Sequence, residues 1–323
     1  MTDPHQEGPP HAERLIRRVK TLEWITVAHI LTTAVFMYMT MGSSQAMKTA
    51  FLDDLIGLVP TFGYLIALRF NDRPPSLRFP YGYHRAMSIA FISAGVSILA
   101  LGIFLAGDSA LKLISFEHPT VGTGYFFGHS IWMGYLMLGA LIYNAIPRAW
   151  IGRAKLPLAK ELNDKVLYAE AAMNRADWLN AAAAAVGVIG IGFGLWWADP
   201  AIALVISIEI IEEGWKHSRG ATHHLMNELP TSVEDYDEFD PLPDRLEDEL
   251  RTLDWVRDAR VRLREEGRLY FGEAFIVAGD GAVTPEQLQS AEERLLKVDW
   301  RVGDIVITVV DELEKTPQLK GLQ

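Results

Sequence analysis

The 323-residue chain contains no cysteine, which removes disulfides, thiolate zinc sites and cysteine nucleophiles together. It is also short of positive charge: 30 Lys and Arg stand against 41 Asp and Glu, a net charge of −11. That balance argues against a nucleic-acid partner, because phosphate backbones need clustered Lys and Arg. No GxxxxGK[ST] motif occurs, so no ATP drive is evident. No nucleophile–base constellation or metal-hydrolase motif is present either, so an enzyme is not expected. Charged residues make up only 22% and hydrophobic ones 50%, which excludes a disordered chain. At about 150 residues per domain the length suits two domains. The mean hydropathy of +0.11 fits a membrane bundle joined to a soluble part better than either alone.

What is present is a series of long uncharged runs. Trp24 to Met47, Ala86 to Ala106, Tyr125 to Ile146 and Trp178 to Ala198 carry no formal charge, and a hydrocarbon core takes about 20 apolar residues per helix. Two weaker runs hold acids: Phe51 to Leu68 contains Asp53 and Asp54, and Pro200 to Ile211 contains Glu209. Together they predict six transmembrane helices. Glu23 and a charged tail precede the first run, so it is not expected to be a cleavable signal. Arg14, Arg17, Arg18 and Lys20 flank the first run. Arg69, Arg73, Arg78 and Arg85 follow the second, and Arg148, Arg153, Lys155, Lys160 and Lys165 follow the fourth. The alternate loops hold only Lys48 and Lys112, so the positive-inside rule predicts a multi-pass cell-membrane protein with both termini cytoplasmic.

After Pro230 the composition turns soluble and acidic. Thr231 to Asp240 has the look of a solvated linker. Leu242, Leu246, Leu250 and Leu253 recur at helical spacing. Ala259, Val261 and Leu263 alternate with arginines as a half-buried strand, and Gly267 turns the chain into a second strand over Leu269 to Val277. Thr284-Pro285-Glu286-Gln287 combines an N-cap, Pro at N1 and Gln at N3, which starts a helix. Val302 to Val310 is a last strand. The expected architecture is an α-helical six-helix transmembrane bundle plus a C-terminal α+β cytoplasmic domain (αββαβ, ferredoxin-like). The expected boundaries are a tail over 1–20, the bundle over 21–222, a linker over 223–240, the αββαβ domain over 241–315 and a tail over 316–323.

Three stretches resemble the cation diffusion facilitator family of metal exporters. Leu65 to Arg69 with Arg73-Pro74 and Phe79 to Ala86 resembles the loop after that family's second helix. Asp199-Pro200, through Gly214-Trp215 to Leu229-Pro230, resembles its sixth helix and exit. Ala169 to Asp177 takes the place of its fifth-helix metal motif. The family's transport site resembles DxxxD on the second helix and HxxxD on the fifth. Measured back from Arg69, these positions hold Asp53 and Gly57, then Met173 and Asp177. Two acids are kept and two ligands are replaced. The family's loop histidines fall on Phe79 and Tyr83, and no histidine lies between Thr231 and Gln323, so those peripheral and C-terminal zinc sites do not carry over.

Intramembrane acids are functional candidates by default, because a carboxylate in hydrocarbon is costly. At 100° per residue, Glu170, Met173, Asn174 and Asp177 share one face within about 100°. Asp53 and Asp54 point about 100° apart, so only one faces that stripe directly, and family register favours Asp53. Gly57 leaves space there, as for a water. The expected metal ligands are Asp53 and Asp177, with Met173, Asn174 and Asp54 as lesser candidates. The alternative is that Asp53 complements a helix dipole, Asp177 pairs with a basic residue and Met173 is packing. The cargo is a divalent cation, Mn, Fe, Zn or Co unresolved, with no other cofactor expected. Oxygen-rich donors suit Mn²⁺ or Fe²⁺ and a thioether pulls toward softer ions. Carboxylates that lose a metal bind protons, which couples export to proton entry. The resemblance implies alternating access within a homodimer. With two ligands replaced, a non-transporting regulatory or heteromeric partner, or a membrane ion sensor, is the alternative.

Elsewhere the pattern suggests structure. Met37, Met39 and Met41 suit apolar filling, Ala181 to Ala185 a close helix contact, and His29 a hydrogen-bonded interior histidine. Glu209 is either a proton or cation group or a residue near the cytoplasmic end. His223 and His224 have no identifiable metal partners.

Overall fold

The computed structural model describes residues 12–40, 45–71, 73–116, 123–126, 129–195, 197–279 and 281–313. The chain divides into two compact units, one over Glu13–His223 and one from His224 onward.

Among the described residues the first unit holds six long helices: α1 (Ala12–Thr40), α2 (Gln45–Asn71), α3 (Arg85–Ile114), α4 (Met133–Glu161), α5 (Lys165–Gly192) and α6 (Ala198–Leu225). Helix α1 begins inside the stretch expected to be a tail. A short antiparallel hairpin, β1 (Thr123–Phe126) with β2 (His129–Trp132), precedes α4. The fourth helix therefore starts at Met133 and not at Tyr125, because Tyr125 and Phe126 are spent on strand pairing. Among the described residues two helices, Ala12–Met39 and Arg85–Ile114, are long and apolar enough by composition to cross a membrane.

Helix α4 also runs further than its apolar pattern suggests. Arg148 and Lys155 were expected in a loop, but both sit inside α4 and are buried. A hydropathy run stops at the first charge, whereas a helix continues if each charge finds a partner. Leu162, Asn163 and Asp164 turn α4 into α5. Asn163 takes a left-handed φ of 51°, which Asn tolerates better than most residues. Asp164 accepts the Leu167 N–H at 3.0 Å and the Tyr64 hydroxyl at 2.6 Å, satisfying one free donor at the α5 start. Gly152 lets the helices approach: a Cβ there would lie 3.2 Å from the Asn174 Cβ. Ala181, Ala184 and Ala185 pack with Leu141 and Val188, the close contact the alanine run suggested. Helices α3 and α6 also meet through glycines. A Cβ on Gly95 would lie 2.7 Å from the Ser218 nitrogen, and one on Gly214 would run into the Leu99 backbone.

The second unit follows the expected order: α7 (Leu242–Arg251), β3 (Val256–Glu266), β4 (Leu269–Ala278), α8 (Pro285–Val298) and β5 (Val302–Val310). The strands form a small mixed sheet in the order β3-β4-β5, antiparallel then parallel. Leu246 and Leu250 of α7 and Ala291 and Leu295 of α8 cover Ala259, Val261, Leu263 and Ile276. The predicted capping box at Thr284 and Gln287 is formed in full. The acidic stretch before α7 is held more firmly than a solvated linker. Thr231 bridges Phe239, and Asp240 takes both the Arg301 guanidinium and the Tyr270 hydroxyl. Its remaining acids, Glu234, Asp235, Asp237 and Glu238, are exposed.

Candidate metal site

The interior of the six-helix unit carries two ionic clusters joined by the α4–α5 pair. Arg148 and Lys155 are seven residues apart on α4, and Glu170 and Asp177 are seven apart on α5. Two helical turns separate each pair, about 10.5 Å along the axis. Because the helices run in opposite directions from one tight turn, Lys155 meets Glu170 and Arg148 meets Asp177. A third and fourth acid arrive from other helices. Glu23 of α1 joins Lys155 at 2.9 Å, and Asp54 of α2 joins Arg148.

At the first cluster one guanidinium serves two carboxylates: Nη1 of Arg148 donates to Asp177 Oδ2 and Nη2 to Asp54 Oδ1. Asn144, one turn before Arg148, donates to the same Asp54 oxygen at 3.4 Å. The Asp54 and Arg148 side chains are only 3% and 2% exposed, so these charges are screened by each other and not by solvent. A Cβ on Gly57 would lie 3.8 Å from Asp177 Oδ2 and 4.0 Å from Arg148 Nη1. The room left by Gly57, expected to suit a water, thus adjoins a guanidinium. Asp54 is the acid of α2 that shares Arg148 with Asp177. Asp53 lies on the same helix, but its side chain falls outside the described residues.

At the second cluster the Lys155 ammonium lies 2.8 Å from Glu170 Oε2 and donates to Glu23 Oε2 at 2.9 Å. All three side chains are almost wholly buried. Two acids share one cation, so the cluster carries an excess of one negative charge when all three are ionised.

The clusters border a small cleft lined by Glu170, Met173, Asn174 and Asp177 from α5 and by Gly57 and Thr61 from α2. Four side chains of the predicted α5 stripe therefore do face one space. Asn174 spends its amide on the Glu170 carbonyl at 2.9 Å. Met173 also packs among Ile98, Leu101, Leu105 and Ile210, so its sulfur borders both an apolar cluster and the cleft. Among the described residues, no group of three or more His, Asp or Glu side chains converges as a ready metal cage.

The other singled-out residues are placed plainly. Glu209 is half-exposed on α6 and ion-paired with Arg175 of α5. His29 is buried with Nε2 3.4 Å from the Asn144 carbonyl and its ring against Tyr143. Met37 is fully buried against Ala140 and Met39 is exposed; Met41 lies outside the described residues. His224 is 3.8 Å from Glu265. Phe79 and Tyr83 stack at 4.8 Å, beside His84, which bonds Asn71 at 3.2 Å. Arg148, Lys155 and Glu23 are the residues the sequence reading left out of the site, and Glu170 was placed on its α5 stripe without being named a ligand. For Arg148, Lys155 and Glu170 the signal was the matched seven-residue spacing of opposite charges on either side of one turn; Glu23, on α1, had no such signal.

Residues 23–226 match the model of the cation efflux transmembrane domain. An uncharacterised transporter of Bacillus subtilis, YdbO, is 28% identical over 184 residues, 56% of this chain and 59% of that one. The manganese efflux system protein MneS of the same organism is 26% identical over 185 residues, again 56% and 59%. A cadmium, cobalt and zinc/H(+)-K(+) antiporter of Bacillus velezensis is 22% identical over 214 residues, 65% and 64%. In each comparison the match spans less than two thirds of the relative.

Proposed function

Since the chain belongs to the cation efflux family of membrane transporters, we propose that it exports a divalent metal cation from the cytoplasm in exchange for protons. The cargo site is formed by Asp54 and Asp177, with Asn174, Met173 and Asp53 as further ligands. The observation that carries this reading is the convergence of two buried carboxylates from different helices on one guanidinium, with Asp177 also lining a small cleft. Carboxylate and amide oxygens suit Mn²⁺ or Fe²⁺ over softer ions, in keeping with a manganese efflux relative. The same carboxylates accept protons once the metal has left, in keeping with an H(+)-coupled relative.

The proposal takes all six helices as membrane spans with both termini cytoplasmic. Support comes from an inside-out distribution of polarity. Charges sit in the interior, while Trp24 and Val35 of α1, Val59 and Ile66 of α2, Ile89 and Val96 of α3, Ile142 and Ile146 of α4, Val186 of α5 and Val205 and Ile208 of α6 are exposed. A soluble protein arranges these the other way. Arg148 and Lys155 no longer count toward the orientation, but Arg14, Arg17, Arg69, Arg73, Arg78, Arg153 and Lys160 remain exposed. A homodimer joined through the C-terminal units is part of the same reading.

The test is metal flux in liposomes under an inward-acid pH step, scanned over Mn²⁺, Fe²⁺, Co²⁺, Zn²⁺ and Cd²⁺. Wild type is expected to move at least one ion, and D54N/D177N none. Equal flux in the two would overturn the assigned site, and no flux of any ion would overturn the exporter. A second reading has one observation behind it: Arg148 already bridges the two acids. A chain so bridged would act as a regulatory or heteromeric partner, and its phenotype would survive D54N/D177N.

A further inference from the structure

We infer that Arg148 is a tethered resident cation, holding the place of the cargo between Asp54 and Asp177 and leaving it when a divalent ion binds. The inference rests on the exporter reading and adds to it what the unloaded site contains.

Three observations carry it. First, the guanidinium uses one nitrogen for each acid, so it lies between them, where an ion bridging the same two carboxylates would lie. Second, charge forbids joint occupancy. Asp54, Asp177 and Arg148 together carry one negative charge. Adding a divalent ion with the guanidinium in place gives this first cluster an excess positive charge, while moving the guanidinium toward the second cluster, which has one negative charge to spare, leaves Asp54, Asp177 and the ion neutral. Like charges a few Å apart in low dielectric repel strongly, so the two cations exclude each other. Third, space is arranged for the arginine. Gly57 lies beside it, its Cβ position 4.0 Å from Nη1, so an alanine would only touch the guanidinium while any longer side chain pointing that way would crowd it.

The helix that presents Arg148 has slack next to it. Pro147 cannot donate an N–H to the carbonyl of Tyr143, and its ring crowds that turn. The cleft also offers the displaced guanidinium an acceptor, since Glu170 Oε1 is buried without a hydrogen bond and Glu170 lines the same cleft as Asp177. Removing the occupant therefore raises metal affinity. If the site is free in a tenth of molecules or fewer, the gain is about tenfold or more.

The experiment measures Mn²⁺ binding to the purified full chain in detergent by equilibrium dialysis, for wild type, R148A, R148K and D54N/D177N. R148A is expected to bind Mn²⁺ about tenfold or more tightly than wild type, and added methylguanidinium to weaken that binding competitively by refilling the vacated position. R148K, whose ammonium reaches less far and lacks the fork, is expected to fall between the two; it carries the test if R148A does not fold. Arginine variants that bind Mn²⁺ like wild type, or binding indifferent to methylguanidinium, would overturn the tethered cation. In that case loss of binding in D54N/D177N would leave the exporter reading standing. If no protein in the set binds Mn²⁺ and none moves any ion in liposomes, the exporter reading fails and takes this inference with it.

Discussion

Replacing Lys155 by methionine tests whether the second cluster is a true buried ion pair. The ammonium sits 2.8 Å from Glu170 and 2.9 Å from Glu23, and none of the three side chains is more than 2% exposed. K155M keeps most of the volume but leaves two carboxylates facing each other away from water. Breaking a buried pair in this way costs about 3–5 kcal/mol. E170Q is milder, because Lys155 and Glu23 remain as a one-to-one pair. The loss there is a charged hydrogen bond, about 1.5–3 kcal/mol. In the triple variant K155M/E23M/E170M no charge is buried, and replacing a buried ion pair by apolar residues of similar volume is often close to neutral. The expected order of stability is wild type near the triple variant, then E170Q, then K155M. Reversible unfolding in mixed detergent, followed by tryptophan fluorescence, reads the order directly. K155M as stable as E170Q, or a triple variant as unstable as K155M, would refute the reasoning.

Three further outcomes are expected. G214L forces a side chain into the Leu99 backbone at the α3–α6 contact; overpacking costs about 1–3 kcal/mol, so the melting temperature should fall while that of an exposed control such as V205L does not. T284A removes the capping-box hydroxyl of α8 and should cost about 1 kcal/mol in denaturant unfolding of the second unit. Asp299 is partly buried, which pushes its carboxyl up, but hydrogen bonds from the Arg301 side chain and backbone outweigh that and hold it below its ordinary value of 3.8. A depressed folded value means a stabilising contribution that is full above the ordinary value of 3.8 and lost as pH falls from there through the folded one. The acid unfolding of D299N should therefore lack this component, and an unchanged acid profile would contradict it.

How much of this was legible in the sequence depended on how each segment meets water. The second unit was readable almost residue by residue, because one side of each element faces solvent: Ala259, Val261 and Leu263 alternate with exposed or half-buried arginines, and Thr284 stands at a helix start. In the first unit the polarity is inverted, so a charge marks the end of an apolar run even where the helix continues. That is why Arg148 and Lys155 were expected outside α4. The α5 stripe was found because periodicity needs only one helix. The partner of Asp177 was not, because it depends on the register of two helices, set by the turn at Leu162, Asn163 and Asp164. The hairpin of β1 and β2 was hidden by the apolar character of Tyr125 and Phe126.

The matched spacing of charges on α4 and α5 bears on how the chain enters its membrane. Under the six-span reading, α4 alone is a poor candidate for lateral release from a translocon. A cation at the middle of a span, as Arg148 is, costs about 2.5–3.5 kcal/mol on insertion scales, Lys155 nearer the end adds to it, and Pro147 and Pro157 interrupt its backbone bonding. Once α5 follows, each cation meets an acid at the same depth, and the pair can partition as one hairpin. At about 5–20 residues per second, the 28 residues of α5 are made within seconds. Under that reading α4 would wait for α5 over that interval, and the order of synthesis would become a step in pairing the buried charges.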